Sequence, residues 1–238
     1  MTNNPILVTG CARSGTSLVA GIVHACGAFG GKLAGPNRHN RRGMFENNAI
    51  RQNILKPFLR SLGYDPMGQN PLPDIGVVAH AALERRGGGR RFDQLRESVL
   101  RVMRSEGYVD GPWFYKGAKM CLTWPIWNLA FPDARWIIVR RDSTKIAESC
   151  LRTGFMRAHK ALDGWLGWVA VHEERFAEMM ESCPHAIEVS TDEIVAGNLG
   201  HIESVIKLCG LDWDAAAVGD FIDPTLFHSK EPVGAKTS

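Results

Sequence analysis

Eight residues near the start of the chain, Gly10-Cys11-Ala12-Arg13-Ser14-Gly15-Thr16-Ser17, have the types and spacing to hold an anion. They separate an apolar run, Ile6-Leu7-Val8-Thr9, from a stretch in which Leu18, Val19, Ile22, Val23 and Cys26 recur at helical spacing. The segment therefore reads as strand, glycine turn and helix. Such a turn directs backbone N–H groups toward one point, and the helix start adds about half a positive charge, which suits a phosphate or sulfate. The spacing of Gly10 and Gly15 is that of a nucleotide-triphosphate loop. Thr16, however, stands where that loop carries the lysine that reaches the β- and γ-phosphates. The cation here is Arg13, on the loop itself.

A second pair points the same way. Arg135-Trp136-Ile137-Ile138-Val139 reads as a buried strand; Arg141 follows it, and Ser149 lies in the helical stretch beyond. Both side chains are placed to reach an anion held over the strand end, and two anion stations on one sheet suit a ligand with phosphates at two ends. Trp113-Phe114-Tyr115, ending at Lys116, and Ala186 to Ser190 read as further strands. Strands that alternate with helices imply a parallel sheet covered on both faces, with ligands outside the carboxyl ends of its strands.

These elements predict an α/β fold of three layers with a central parallel sheet, formed by one domain over residues 1–238. A helical insertion is expected over about residues 33–106. In it Ile50, Ile54, Leu55, Phe58, Leu59 and Leu62 form one apolar stripe, Pro57 marks a kink, and Phe92 to Met103 forms a second helix. The glycine-rich segment from Arg85 to Arg91 reads as a mobile basic loop, solvated or closing over an anionic ligand, and the tail from Ser229 to Ser238 as a frayed end.

Composition excludes several classes. With 238 residues, 45% hydrophobic and 22% charged, the chain buries a proper core and is not dominated by disorder. A net charge of +3 does not mark a nucleic-acid binder, although 19 Arg against 9 Lys leave planar anion-binding forks in supply. No apolar run is long enough to insert stably in a membrane, and Met1 to Pro5 lacks the features of a secretory signal, so the protein is expected to be cytoplasmic. Six scattered cysteines without a C-x-x-C pair read as reduced, buried residues, and no cluster has metal-ligand spacing.

The stretch Ile6 to Val23 resembles the 5′-phosphosulfate loop of the bacterial sulfotransferase family, whose loop reads R-S-G-T-S, and Arg141 to Ser149 resembles that family's 3′-phosphate motif. Gly43-Met44-Phe45-Glu46 is similar to its G-[YHM]-[FW]-E segment, Lys116 sits where it has a lysine after its second strand, and Trp165-Leu166 and Trp168 fall in its Trp-containing helix. The resemblance covers about residues 5–195 and implies a P-loop-like α/β fold. It implies transfer of a sulfuryl group from 3′-phosphoadenosine 5′-phosphosulfate (PAPS) to a hydroxyl or amine of a small-molecule, glycan or lipid acceptor, without a metal. It also implies that Cys11, Ala12, Arg13, Ser14, Gly15, Thr16 and Ser17 hold the 5′-phosphosulfate, and that Arg141 and Ser149 take the 3′-phosphate.

Lys116 is then placed to bridge donor and acceptor. The chain departs from its relatives at Gly117-Ala118, where cytosolic animal enzymes have a histidine, so a base comes from elsewhere. Glu46 is the first candidate, as a carboxylate beside the apolar Phe45 at the position of a family glutamate; His39, among Arg38, Arg41 and Arg42, is the second. Ser190-Thr191-Asp192-Glu193 is similar to the family's strand-end segment near the nucleotide but lacks its tyrosine, and Lys230 is a candidate for a late phosphate contact. A P-loop nucleotide kinase or NTPase and a non-catalytic nucleotide-binding module stay open as alternatives. The acceptor and the oligomeric state are not readable from the chain.

Overall fold

Four short apolar segments form the central sheet: β1 (Ile6–Gly10), β4 (Phe114–Lys116), β5 (Arg135–Arg140) and β6 (Ala186–Ser190). A computed structural model describes residues 4–226; Lys230 and the tail from Ser229 lie outside the described residues. The strands run parallel in the order β4-β1-β5-β6, with Val8 opposite Lys116 on one side and Ile137 on the other. Because connections leave β1 and β4 toward opposite sides, a crevice opens at the carboxyl ends of the central strands.

Alternation along each strand divides the core in two. Leu7, Tyr115, Trp136 and Ile138 face a layer that contains α5 (Arg91–Ser105), α6 (Trp124–Ala130), α7 (Ser143–Leu151) and α8 (Leu162–Ser182). Ile6, Val8, Phe114, Ile137 and Val139 face α1 (Thr16–Ala25), α10 (Gly200–Leu208) and α11 (Ala215–Phe221). Three layers result, as the strand–helix alternation predicts. Trp127, Trp136 and Trp165 are fully buried, and each large apolar side chain removed from water contributes about 1.5–3 kcal/mol. All six cysteines are buried free thiols.

Between the first loop and β4, the chain forms α2 (Asn48–Ile50), a π-helical turn (Arg51–Leu55), α3 (Lys56–Ser61), α4 (Ile75–Leu83) and α5. The kink expected at Pro57 takes the form of that π turn. A proline ring collides with the carbonyl four residues back in a regular helix, and the wider turn just ahead of Pro57 makes room for it. The expected mobile loop at Arg85–Arg91 is instead a tight hairpin of β2 (Arg85–Arg86) and β3 (Gly89–Arg90). Gly87 at φ 56° and Gly88 at φ 91° supply the two successive positive angles of a two-residue turn, so Arg85 pairs with Arg90. No helix among the described residues is long and apolar enough to cross a membrane.

Candidate active site

The loop after β1 is held from three directions. Arg13 adopts φ 75°, in the left-handed region, and its carbonyl accepts from Arg141 Nη1 at 3.0 Å. Its own guanidinium donates through Nε to Ser149 Oγ at 3.0 Å and through Nη1 to the His39 carbonyl at 3.4 Å. Thr191 Oγ1 donates to the Ser14 carbonyl at 2.7 Å from beyond β6, where α9 (Thr191–Val195) begins. Gly15 has φ 93°, and a Cβ there would lie 2.6 Å from the Thr191 side chain. Only glycine satisfies both demands.

Gly15 also opens α1, and that helix start differs from several others in the fold. Asp74, Asp142, Ser190 and Asp214 cap α4, α7, α9 and α11 through their side chains, whereas α1 has neither a capping side chain nor an acidic residue in its first turn. Its leading N–H groups are therefore left for an external anion.

A cleft of about 990 Å³ spreads over this end of the sheet. It is bordered by Ala12, Arg13, Gly15, Thr16, Ser17, His39, Glu46, Lys116, Arg141 and Ser149, so most of the residues singled out from the sequence converge on one space. Cys11 and Ser14 do not join them. Both side chains are fully buried, Cys11 in the core beneath the loop, and neither residue borders the cleft. Among the described residues that border the cleft, eight Arg and two Lys face two carboxylates, Glu46 and Asp223. The described residues of the basic hairpin do not border the cleft.

Glu46 and Lys116 sit at the inner end. Glu46 is 4% exposed; its Oε2 lies 3.9 Å from Arg51 Nε, and its Oε1 is buried with no hydrogen-bond partner among the described residues. The expected influence of Phe45 is corrected here. That ring turns toward Phe221, edge-on at 5.3 Å, and His24 at 5.9 Å, in the layer of α1 and α11. The carboxylate instead neighbours Arg51, Lys116 and Tyr115. Asn47, unnoticed in the sequence, fixes its approach: Asn47 Oδ1 caps Ile50 N at 3.0 Å while its Nδ2 donates to Glu106 at 2.6 Å.

Lys116 is 6% exposed, and its ammonium has no hydrogen bond or ion pair with any described residue. Burial pulls its ammonium below the ordinary lysine value; Glu46 opposes this, and Lys119, Arg51 and Arg13 add to it. Burial, then Arg38 and Arg13, also lowers His39, whose Nε2 accepts from Arg38 Nε at 2.9 Å. Both influences favour the neutral imidazole, and its Nε2 is already engaged as an acceptor.

Sequence reasoning missed the role of two hydroxyls that hold the site from behind. Thr9 Oγ1, fully buried, donates to the Gly117 carbonyl at 3.0 Å and accepts from Cys121 N at 3.1 Å, which fastens the Lys116 strand end to the loop strand. Thr191 does the same for Ser14. A hydroxyl at the end of an apolar strand was the available signal for both. Of the aromatic residues, Trp127 and Trp165 belong to the core, while Trp168 and Phe155 border the cleft.

The sulfotransferase family model matches residues 5–215. The chain belongs to the sulfotransferase family. Solved structures agree on the fold. Sulfotransferase STF1 from Mycobacterium tuberculosis H37Rv superposes with a TM-score of 0.52 at 17% identity, over 93% of this chain and 71% of that one. The sulfotransferase domain of the Synechococcus PCC 7002 olefin synthase gives 0.54 at 13%, over 98% and 90%. Sulfotransferase STF9 from Mycobacterium avium gives 0.53 at 14%, over 93% and 67%. No curated protein matches the chain. For a sulfotransferase, Thr16 in place of the P-loop lysine needs no special explanation, and the kinase or NTPase alternative is not favoured. Among the described residues of this sulfotransferase, no group of three or more His, Cys, Asp or Glu could hold a metal ion.

Proposed function

We propose that this sulfotransferase moves a sulfuryl group from PAPS to a hydroxyl or amine of a small-molecule, glycan or lipid acceptor and releases adenosine 3′,5′-bisphosphate. One observation carries the reading: the uncapped start of α1 and the linked trio Arg13, Arg141 and Ser149 lie side by side at the carboxyl end of one parallel sheet. The donor set fits the nucleotide. Amide groups and the Arg13, Arg141 and Lys116 cations are what a molecule with charged groups at two ends requires. The donor supplies the activated sulfuryl group.

The chain's own residues do the rest. The amides of Gly15, Thr16 and Ser17 and the Ser17 hydroxyl hold the 5′ side, with Cys11, Ala12 and Ser14 shaping the loop. Arg13 stands between that side and Ser149, so it serves both ends, while Arg141 and Ser149 select for the 3′-phosphate. Lys116 stabilises negative charge at the inner end, and losing one such preorganised donor costs about 3 kcal/mol of transition-state stabilisation. Glu46 takes the proton of the acceptor hydroxyl. Its free Oε1 supports this role over His39, whose ring nitrogen already accepts from Arg38. Six buried thiols without a disulfide fit a reducing compartment, and we place the enzyme in the cytoplasm.

Thermal unfolding with nucleotides tests the reading. A ligand at 100 times its dissociation constant stabilises by about 2.7 kcal/mol. Adenosine 3′,5′-bisphosphate is expected to raise the melting temperature and ATP with magnesium to leave it unchanged; the reverse pattern rejects the proposal. Stabilisation without transfer to any acceptor in a broad labelled-donor screen marks a non-catalytic binding module. Arg141→Ala is expected to weaken bisphosphate binding about tenfold, on the scale of a charge-assisted hydrogen bond. Unchanged affinity in that variant removes the 3′-phosphate assignment.

A further inference from the structure

Arg51, Lys56 and Arg60 follow one another at spacings of five and four residues. In a regular α-helix a step of five turns a side chain about 140° away from its predecessor. Here the step of five is a π turn: the Lys56 N–H donates to the Arg51 carbonyl, so Lys56 stands one turn above Arg51 on the same face. The helix then returns to regular winding in α3, and Arg60 falls one turn above Lys56. The π turn converts a scattered set of cations into a stripe.

The lower end of the stripe is in the cleft. Arg51 borders it beside Glu46, as does Lys119 from the loop after β4. Burial, and then the fields of Arg51, Lys119 and Arg60, lower the Lys56 ammonium, and Glu46 is the carboxylate that opposes them. Arg51, Lys119 and Arg60 therefore each lie within range of Lys56. The side chains of Lys56, Arg60 and Lys119 have no hydrogen-bond or ion-pair partner among the described residues; Arg51 donates through Nη2 to Asn48 Oδ1 at 3.1 Å, and its Nε is buried without a hydrogen bond. Four like charges lead outward from Glu46 and Lys116 with one carboxylate between them. Their mutual repulsion disfavours the bare stripe, and an anion laid along it relieves that repulsion.

We propose that the acceptor is itself an extended anion: it presents its hydroxyl beside Glu46 while its carboxylate, phosphate or sulfate groups follow Lys119, Arg51, Lys56 and Arg60. The inference rests on the transfer site proposed above and adds the charge of the acceptor to it. Neutral acceptors leave the stripe unused.

Calorimetric titration of the enzyme saturated with adenosine 3′,5′-bisphosphate tests this with two pairs of probes, sucrose octasulfate against sucrose and tetragalacturonate against maltotetraose. The bisphosphate keeps the probes out of the donor stations. Each anionic probe is expected to bind at least tenfold more tightly than its neutral counterpart. Joint substitution Lys56→Gln and Arg60→Gln is expected to weaken the anionic probes roughly tenfold, with bisphosphate affinity unchanged. The same change in charge at the other end of the sheet, Arg135→Gln with Lys207→Gln, is expected to leave probe binding as it is.

Equal binding of neutral and anionic probes, no binding of either anion, wild-type affinity in the stripe variant, or equal weakening in the distant variant each overturns the proposal. Failure of the bisphosphate to bind counts against the donor instead. Titration of the unloaded stripe variant then still decides the acceptor.

Discussion

The strand-end loop and the helical insertion face each other across the cleft, and they are built on opposite lines. Around the loop, polar groups support one another: Arg141 holds the Arg13 carbonyl, Arg13 holds Ser149, and Thr191 holds Ser14. Gly10 and Gly15 are hemmed in by Val139 and Thr191. On the insertion, Lys56 and Arg60 have no partner among the described residues, and a Cβ at Gly88 would meet nothing within 4 Å. The contrast separates a part whose geometry is over-determined from a part whose surface can vary at little cost to the fold. A binding station for an invariant co-substrate suits the first, and recognition of a particular acceptor suits the second.

The largest effect is expected at the loop. Arg13→Ala removes the cation that links the two anion stations, and transfer in a labelled-donor assay is expected to fall by about 10³-fold. Activity within tenfold of wild type would erase the distinction between the two regions.

Next comes Glu46→Gln, in the first part of the insertion, where it borders the cleft. Loss of the proton acceptor is expected to lower kcat by about 10²-fold while calorimetric affinity for adenosine 3′,5′-bisphosphate is kept. Wild-type turnover would eliminate Glu46 as the base. A loss of donor affinity would show instead that this carboxylate belongs to the donor half.

The smallest effects come from one substitution made twice. Gly15→Ala meets both a left-handed backbone and Thr191 at 2.6 Å, and is expected to lower stability by about 2–3 kcal/mol in denaturant titration, with loss of bisphosphate binding. Gly88→Ala meets the backbone angle alone, at φ 91°, and is expected to cost about 1 kcal/mol with donor binding intact. Similar costs at both glycines would mean that packing around the loop contributes nothing beyond backbone conformation.

Much of the donor half was legible because its signals are local. The apolar runs of β1, β5 and β6 end in polar residues, and glycine positions 10 and 15 announce a turn before any contact is known. The insertion was less legible. Its glycine-rich arginine segment has the composition of a solvated loop, and only the pairing of Arg85 with Arg90 makes it a hairpin. Pro57 signalled a kink but not its form, since the proline forbids a regular turn without saying which wider turn replaces it. Phe45 beside Glu46 suggested an apolar neighbour for the carboxylate, yet Phe45 adopts φ 50°, in the left-handed region, and its ring packs against Phe221 in the other layer.

From order along the chain alone come the three-layer α/β architecture, the glycine turn between the first strand and its helix, and the placement of Arg141 and Ser149 on consecutive elements. These depend on periodicity and on conformational demands that act over a few residues. Which side chains touch was decided by the sheet. Arg13 reaches Ser149 across 136 residues because β1 lies next to β5, and Lys116 enters the same cleft because β4 lies on the other side of β1. The stripe on the insertion has the same origin, since its alignment depends on one widened helical turn that no residue count reveals.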